Sequence, residues 1–247
     1  MRPTPVFFTV ICFVVSALHT APPFLTGDPG IAETSRVEFI PGWSTERRAG
    51  ERLSELPAFE LNYGVSANVE VSYGAAWLRA RTAGDPHRSG YGNSIVAAKW
   101  RLLDGEKDGV ALSVSPAFEF RNPSSRSVAK GLVPDENTFG FDVRAEKEFA
   151  GLVFGAAAGW SAPSKSDGSW NYGLIARKDV AKKFSVGLEL IGEAAARLDR
   201  SRFMLNAGVR IVTGNDSALL LGLGRELHCH DEPRLTRRTY VGWQQVF

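Results

Sequence analysis

The sequence predicts an all-β protein: a single-chain antiparallel transmembrane β-barrel of about twelve strands, exported behind a cleaved signal peptide. Three observations predict it: a short apolar run near the amino terminus, repeated two-residue alternation along the rest of the chain, and an aromatic residue at the carboxy terminus.

Met1 to Pro5 is short and basic, Val6 to Leu18 is apolar, and small residues follow at Ser16-Ala17 and Thr20-Ala21. That order is the order of a secretory signal peptide, with cleavage after Ala17 or Ala21. A transmembrane helix needs about 20 apolar residues, and this run stops at His19. Cys12 follows Ile11 rather than a small residue, which argues against a lipoprotein cysteine. Residues 22–34 then read as a periplasmic N-terminal segment and 35–247 as the barrel. The mature chain keeps one cysteine, Cys229, so it can form no intrachain disulfide.

Beyond the signal, the apolar period is two rather than 3.6. In Phe139 to Phe149 the odd positions carry Phe139, Phe141, Val143 and Phe149, while the even ones carry Asp142, Arg144, Glu146 and Glu148. Phe184 to Leu190, Phe203 to Ile211 and Val110 to Phe120 repeat the pattern. Strands are expected near 35–43, 56–64, 68–80, 91–103, 109–121, 138–149, 151–161, 169–179, 183–195, 202–213, 217–227 and 238–247. Short connections alternate with longer polar ones, which span 44–55, 82–90, 122–137, 162–168 and 228–237. A secreted β-sandwich would also alternate, but its polar face meets water and tends towards Lys, Thr and Ser. Here that face is rich in Glu, Asp and Arg beside Gly and Asn, as in a packed lumen.

The last expected strand ends on Phe247, with Trp243 and Val241 on the same face. Such an ending is an assembly signal for the barrel assembly machinery, with Gln245 standing where an apolar residue is usual. Closure of the sheet is required because hydrocarbon offers no hydrogen-bond partner to an open strand edge.

Composition bounds what the barrel can do. The 247 residues include 29 Lys+Arg and 27 Asp+Glu, a net charge of +2, which gives no support for nucleic-acid binding. At 44% hydrophobic the chain is too apolar to be disordered. The 25 Gly suit crowded inward faces and the 15 Phe a lipid-facing surface. The expected setting is the outer membrane of a Gram-negative bacterium, with lipid outside and the barrel a monomer.

Pro22-Pro23-Phe24-Leu25-Thr26-Gly27-Asp28-Pro29, then Glu60-Leu61-Asn62-Tyr63-Gly64, then Tyr91-Gly92-Asn93 entering Lys99-Trp100-Arg101-Leu102, resemble outer-membrane transporter proteins grouped with the MetA-pathway of phenol degradation family. Gly27 and Asn93 stand where that family carries an acid. The resemblance implies a barrel and passage of small solutes, aromatic or hydrophobic ones among them.

The polar face supplies the candidate pore-lining residues. Glu60, Asn62 and Glu70 come early in the chain, followed by Lys99, Arg101 and Glu119. Asp142, Arg144 and Glu146 share the clearest strand, and Arg177, Glu189 and Arg210 complete the set. Two roles are open and compatible: mutual pairing that stiffens the barrel, and a weakly selective polar pore whose acidic excess favours cations. The outward aromatics, including Trp43, Tyr73, Trp77, Trp160 and Trp170, fit interfacial girdles. His228-Cys229-His230-Asp231-Glu232 is the one metal-like run, but it falls in an expected loop, and no metal site is assigned. No Gly-x-Ser-x-Gly occurs and the certain histidines fall in expected loops, so no catalytic residue and no cofactor are assigned. The predicted function is passive or facilitated passage of small solutes, with a structural or adhesive barrel of occluded lumen as the alternative.

Overall fold

A computed structural model describes residues 22–122, 126–230 and 233–247; the predicted signal peptide lies outside them, as do Asp231 and Glu232. Twelve strands form one closed antiparallel barrel: β1 (Val37–Arg48), β2 (Glu51–Ser66), β3 (Val69–Thr82), β4 (Arg88–Leu103), β5 (Ala111–Phe120), β6 (Thr138–Phe149), β7 (Leu152–Pro163), β8 (Ser169–Ala181), β9 (Phe184–Ala195), β10 (Ser201–Val212), β11 (Ser217–Cys229) and β12 (Arg237–Val246). A one-turn helix, α1 (Gly105–Asp108), caps the β4–β5 connection. Each strand pairs with its sequence neighbours, and β12 closes on β1 through pairs such as Trp43↔Val241. Every strand therefore has partners on both sides, which is what hydrocarbon demands.

On β5 and β6 the alternation sorts apolar residues outward and polar ones inward. On β6, Phe139, Phe141, Val143 and Phe149 are exposed on the outside, whereas Asp142 and Arg144 are buried inside. On β5, Ser113, Ser115 and Ala117 are buried while Phe118 faces out. Outward aromatics gather at both ends of the wall. Trp77 packs on Tyr91 at 5.7 Å between centroids and Trp160 on Trp170 at 4.8 Å, near one rim. Tyr63, Trp100 and Trp243 lie near the other and are exposed, as interfacial residues of a membrane barrel are.

The start of β1 at Val37 and the carboxy-terminal Phe247, paired through their backbones, lie at one rim with the short turns; we call it the turn end and the opposite rim the loop end. The largest departure from the expected boundaries is at 44–55. Instead of a polar loop, β1 and β2 run on to a two-residue turn at Ala49-Gly50, where Gly50 has φ 75°. Register shifts lie at Gly42/Ser44 and between Glu55 and Ala58. A bulge of this kind resets which parity faces inward, so the simple alternation breaks there although the strand continues. His228 and Cys229 likewise end β11 rather than standing in a loop.

Residues 22–33 do not extend away from the barrel: they cross its interior. Phe24 lies against Gly187 on β9 and Gly208 on β10, where a Cβ would come within 2.5 Å of its ring. Thr26 lies against Gly173 on β8. At the far side of the crossing the backbone of Glu33 is so close to Gly64 on β2 that a Cβ there would sit 2.1 Å from its carbonyl oxygen. Glycine at these inward positions makes room for the segment.

Candidate functional site

The lumen is divided by the crossing segment, and the inward polar side chains fall into two groups. One group holds the segment. Glu189, 1% exposed, accepts the backbone N–H of Leu25 at 2.8 and 3.1 Å and that of Thr26 at 2.8 Å. The Asn206 side chain donates to Glu189 at 2.7 Å and to the Pro23 carbonyl at 3.2 Å. Opposite, Glu70 accepts the N–H of Ala32 at 2.6 Å, and Lys99 donates to the Gly30 carbonyl at 2.7 Å while standing 3.3 Å from Glu70. Arg177 binds Glu146 at 2.5 Å and comes within 3.7 Å of Asp28. These are charge-assisted contacts in a confined space, the strong kind.

Other predicted residues pair within the wall. Asp142 and Arg144 meet at 3.0 Å. Asn62 donates to Glu38 at 2.9 Å, and Arg210 donates to Gln244 at 3.1 Å, whose amide in turn binds Glu38. Arg101 is drawn to the turn end, donating to the Ala67 carbonyl at 2.7 Å. Asp142 and Glu146, prominent in the alternation, thus have basic partners and add no net charge to an open space.

The open space is elsewhere. A cavity of about 230 Å³ lies on the β1–β5 and β12 side of the lumen. Its floor includes Phe24 and Leu25, and its roof Leu132, Val133 and Pro134 from the β5–β6 connection. Of the twelve predicted residues, Glu60 and Glu119 line it. Glu46, Glu55 and Arg238 line it too and were not predicted. Glu46 and Glu55 were hidden because 44–55 was read as a loop; Glu46 keeps the inward parity of Ile40, Gly42 and Ser44, whereas Glu55 lies beyond the β2 register shift that resets it. Asn93, where the family resemblance expects an acid, donates to Glu119 at 2.7 Å.

The roof is anchored from the sequence up. Leu132, 2% exposed, packs with Leu78 and Ala80 on β3, and Ser127 and Leu132 crowd Gly90. Arg88 donates to the Lys130 carbonyl at 2.9 Å. At the rim Asp135 bridges Arg121 and Lys165, while Glu136 accepts from the Lys165 N–H at 3.1 Å and from Ser166 at 3.0 Å. The Lys165 hydrogen bond, with Arg121 nearby, holds the Asp135 carboxyl below the usual aspartate range. Before β12, Leu235 also points inward: it is fully buried with Ile191 and Met204, against Leu25, and its N–H is accepted by Glu226 at 2.6 Å.

Among the described residues no group of three or more metal-ligating side chains is brought together. Phe247 and Trp243 are exposed on the outside of the wall, and the backbone of Phe247 pairs with that of Val37.

Solved structures place this architecture. An outer-membrane channel from Pseudomonas putida F1 superposes with a TM-score of 0.73 over 90% of this chain and 98% of that one, at 14% identity. The KdgM porin gives 0.59 over 84% and 99%, at 11% identity. The translocator domain of the autotransporter NalP from Neisseria meningitidis gives 0.51 over 86% and 88%, at 10% identity. At these identities the likeness is one of fold, and with the apolar outer wall it defines the class: an outer-membrane β-barrel. No family model and no curated protein matches the sequence. The phenol-degradation grouping therefore rests on the short motifs alone.

Proposed function

We propose that the barrel passes small solutes across the outer membrane through the half of its lumen that the N-terminal segment leaves open. The observation that carries this is the cavity of about 230 Å³ beside the docked segment, walled by β1–β5 and roofed by a folded-in loop. Pockets for drug-sized ligands run to roughly 300–1,000 Å³, so the space suits a small solute or a narrow route for one. The apolar lining, including Ile40, Leu78, Ile95 and Tyr240, agrees with the aromatic or hydrophobic solutes that the motif resemblance implies. The channel and porin neighbours support passage as the general role. The docked segment fits equally a structural or adhesive barrel with an occluded lumen.

Planar-bilayer recording of residues 22–247 separates the two. Passage predicts small, discrete conductance steps. A reproducibly silent bilayer, with the barrel shown to be inserted, would leave the occluded structural barrel standing.

A further inference from the structure

The cavity is lined by four carboxylates, Glu46, Glu55, Glu60 and Glu119, and one guanidinium, Arg238. Arg238 stands 3.8 Å from Glu46. Among the described residues, the other three carboxylates meet only neutral donors: Ser44 on Glu55 at 2.7 Å, Asn93 on Glu119 at 2.7 Å, and Asn62 beside Glu60. Lys99 acts on Glu60 from further away, but its ammonium is held by Glu70 and the Gly30 carbonyl. Carboxylates withdrawn from water without a cation are costly, and a cation entering among them recovers part of that cost.

The rest of the wall decides which cation. The carboxylates are spread over β1, β2 and β5, and no compact group of metal-ligating side chains forms among the described residues, so a bare divalent ion would find no coordination sphere. Between the acids the lining is mostly apolar, interrupted by Ser44, Ser72 and Asn93, with the rings of Phe24 and Tyr240 part of it. An ammonium needs the acids or an aromatic face, and an apolar body needs the remainder.

We infer that this cavity is a binding site for a small organic monocation, an ammonium carried on a single ring or short alkyl body. The inference rests on the solute-passage reading and names the substrate class for it.

The test uses three probes of one shape and different charge: 2-phenylethylammonium, 2-phenylethanol and phenylacetate. Their binding to the folded full-length barrel in non-ionic micelles is measured by titration calorimetry. The ammonium should bind at least about tenfold more tightly than the alcohol, the effect of one modest charge interaction, and phenylacetate should bind most weakly. In the Glu55→Gln/Glu60→Gln/Glu119→Gln variant, its fold confirmed by heat-modifiable migration on gels, the ammonium should fall to the level of the alcohol. Equal binding of all three probes, tightest binding of phenylacetate, displacement of the ammonium by calcium at equal concentration, or an ammonium preference that survives in the variant would each overturn it. The wild-type comparison stands even if the variant does not fold. Selective binding with a silent bilayer would sink passage and spare this site, whereas conductance without cation preference would sink the site and spare passage.

Discussion

The Glu189 carboxylate on β9 accepts the backbone N–H of Thr26 at 2.8 Å, joining residues 163 apart in sequence across the inside of a closed barrel. With Leu25 and Asn206 on the same carboxylate, one buried acid fixes the amino-terminal segment against β8–β11. Each such charge-assisted hydrogen bond is worth about 1.5–3 kcal/mol, enough for one side chain to decide whether the segment stays docked.

The crossing can be trapped covalently. A Cβ at Gly173 would lie 3.2 Å from Cβ of Thr26, close to the roughly 3.5–4.5 Å spacing of disulfides. In a Cys229→Ser background, Thr26→Cys with Gly173→Cys should cross-link on mild oxidation. Non-reducing electrophoresis with peptide mapping reads the result. Absence of the cross-link in folded protein would contradict the placement of residues 22–33.

The roof of the cavity should open when its apolar anchor is removed. Leu132 is 2% exposed against Leu78 and Ala80, and Leu→Ala at such a site costs about 2–5 kcal/mol. That loss falls on loop docking, since Leu132 pairs in no strand. Leu132→Ala should therefore leave barrel stability near wild type while trypsin cuts after Arg126 or Lys130 much faster. Unchanged cleavage would show that the loop is held by its rim contacts alone.

Those rim contacts carry an acid dependence of definite sign. Asp135 is lowered in the folded protein by its hydrogen bond to Lys165 and by Arg121. A depressed carboxylate contributes stability that is complete above its ordinary value and lost as pH falls through the lower folded-state value. A spin label at Ala129→Cys, with Cys229→Ser, should remain restrained as pH passes the ordinary aspartate value of 3.8 and loosen only below it. Asp135→Asn should loosen it at every pH. Loosening of the parent at pH 5 would contradict the assignment.

The wall predicts an asymmetry between its two faces. Val143 is 37% exposed on the lipid side of β6, where an arginine near the bilayer midplane costs about 2–4 kcal/mol. Val143→Arg should lower folding stability in vesicles by that amount, measured by denaturant titration. An effect below about 1 kcal/mol, the range found near the interfaces, would place this stretch away from hydrocarbon.

Much of this architecture was legible in the sequence because lipid and lumen impose opposite demands on alternate residues. Phe139 to Phe149 shows it: the even positions Asp142 and Arg144 are buried and paired, and the odd Phe139, Phe141 and Val143 face out. The reading failed where geometry rather than polarity sets the facing. Glu55 is separated from Ala58 and Glu60 by a β2 bulge that resets the inward parity, and the polar stretch from Ser44 to Glu55 looked like a loop although Glu46 keeps the parity of Ile40 and Gly42. The N-terminal segment has no period at all, since it is held by backbone N–H groups on Glu189 and Glu70 and by glycines that make room for it. Leu132 and Leu235 are apolar residues in polar connections, and a single apolar residue gives no sign of folding inward. The candidate site was thus half visible: Glu60 and Glu119 were on the predicted face, while the segment that floors the cavity and the loop that roofs it were not.

Passage through only half of the lumen requires the N-terminal segment to occupy the other half. Its most direct test is the single-channel conductance of Glu189→Ala against wild type in planar bilayers, with the barrel confirmed as folded. Loss of the anchor predicts larger conductance steps, or frequent excursions to a larger level, as the segment leaves β8–β11. A conductance identical to wild type, with the segment shown by proteolysis to have been released, would contradict it.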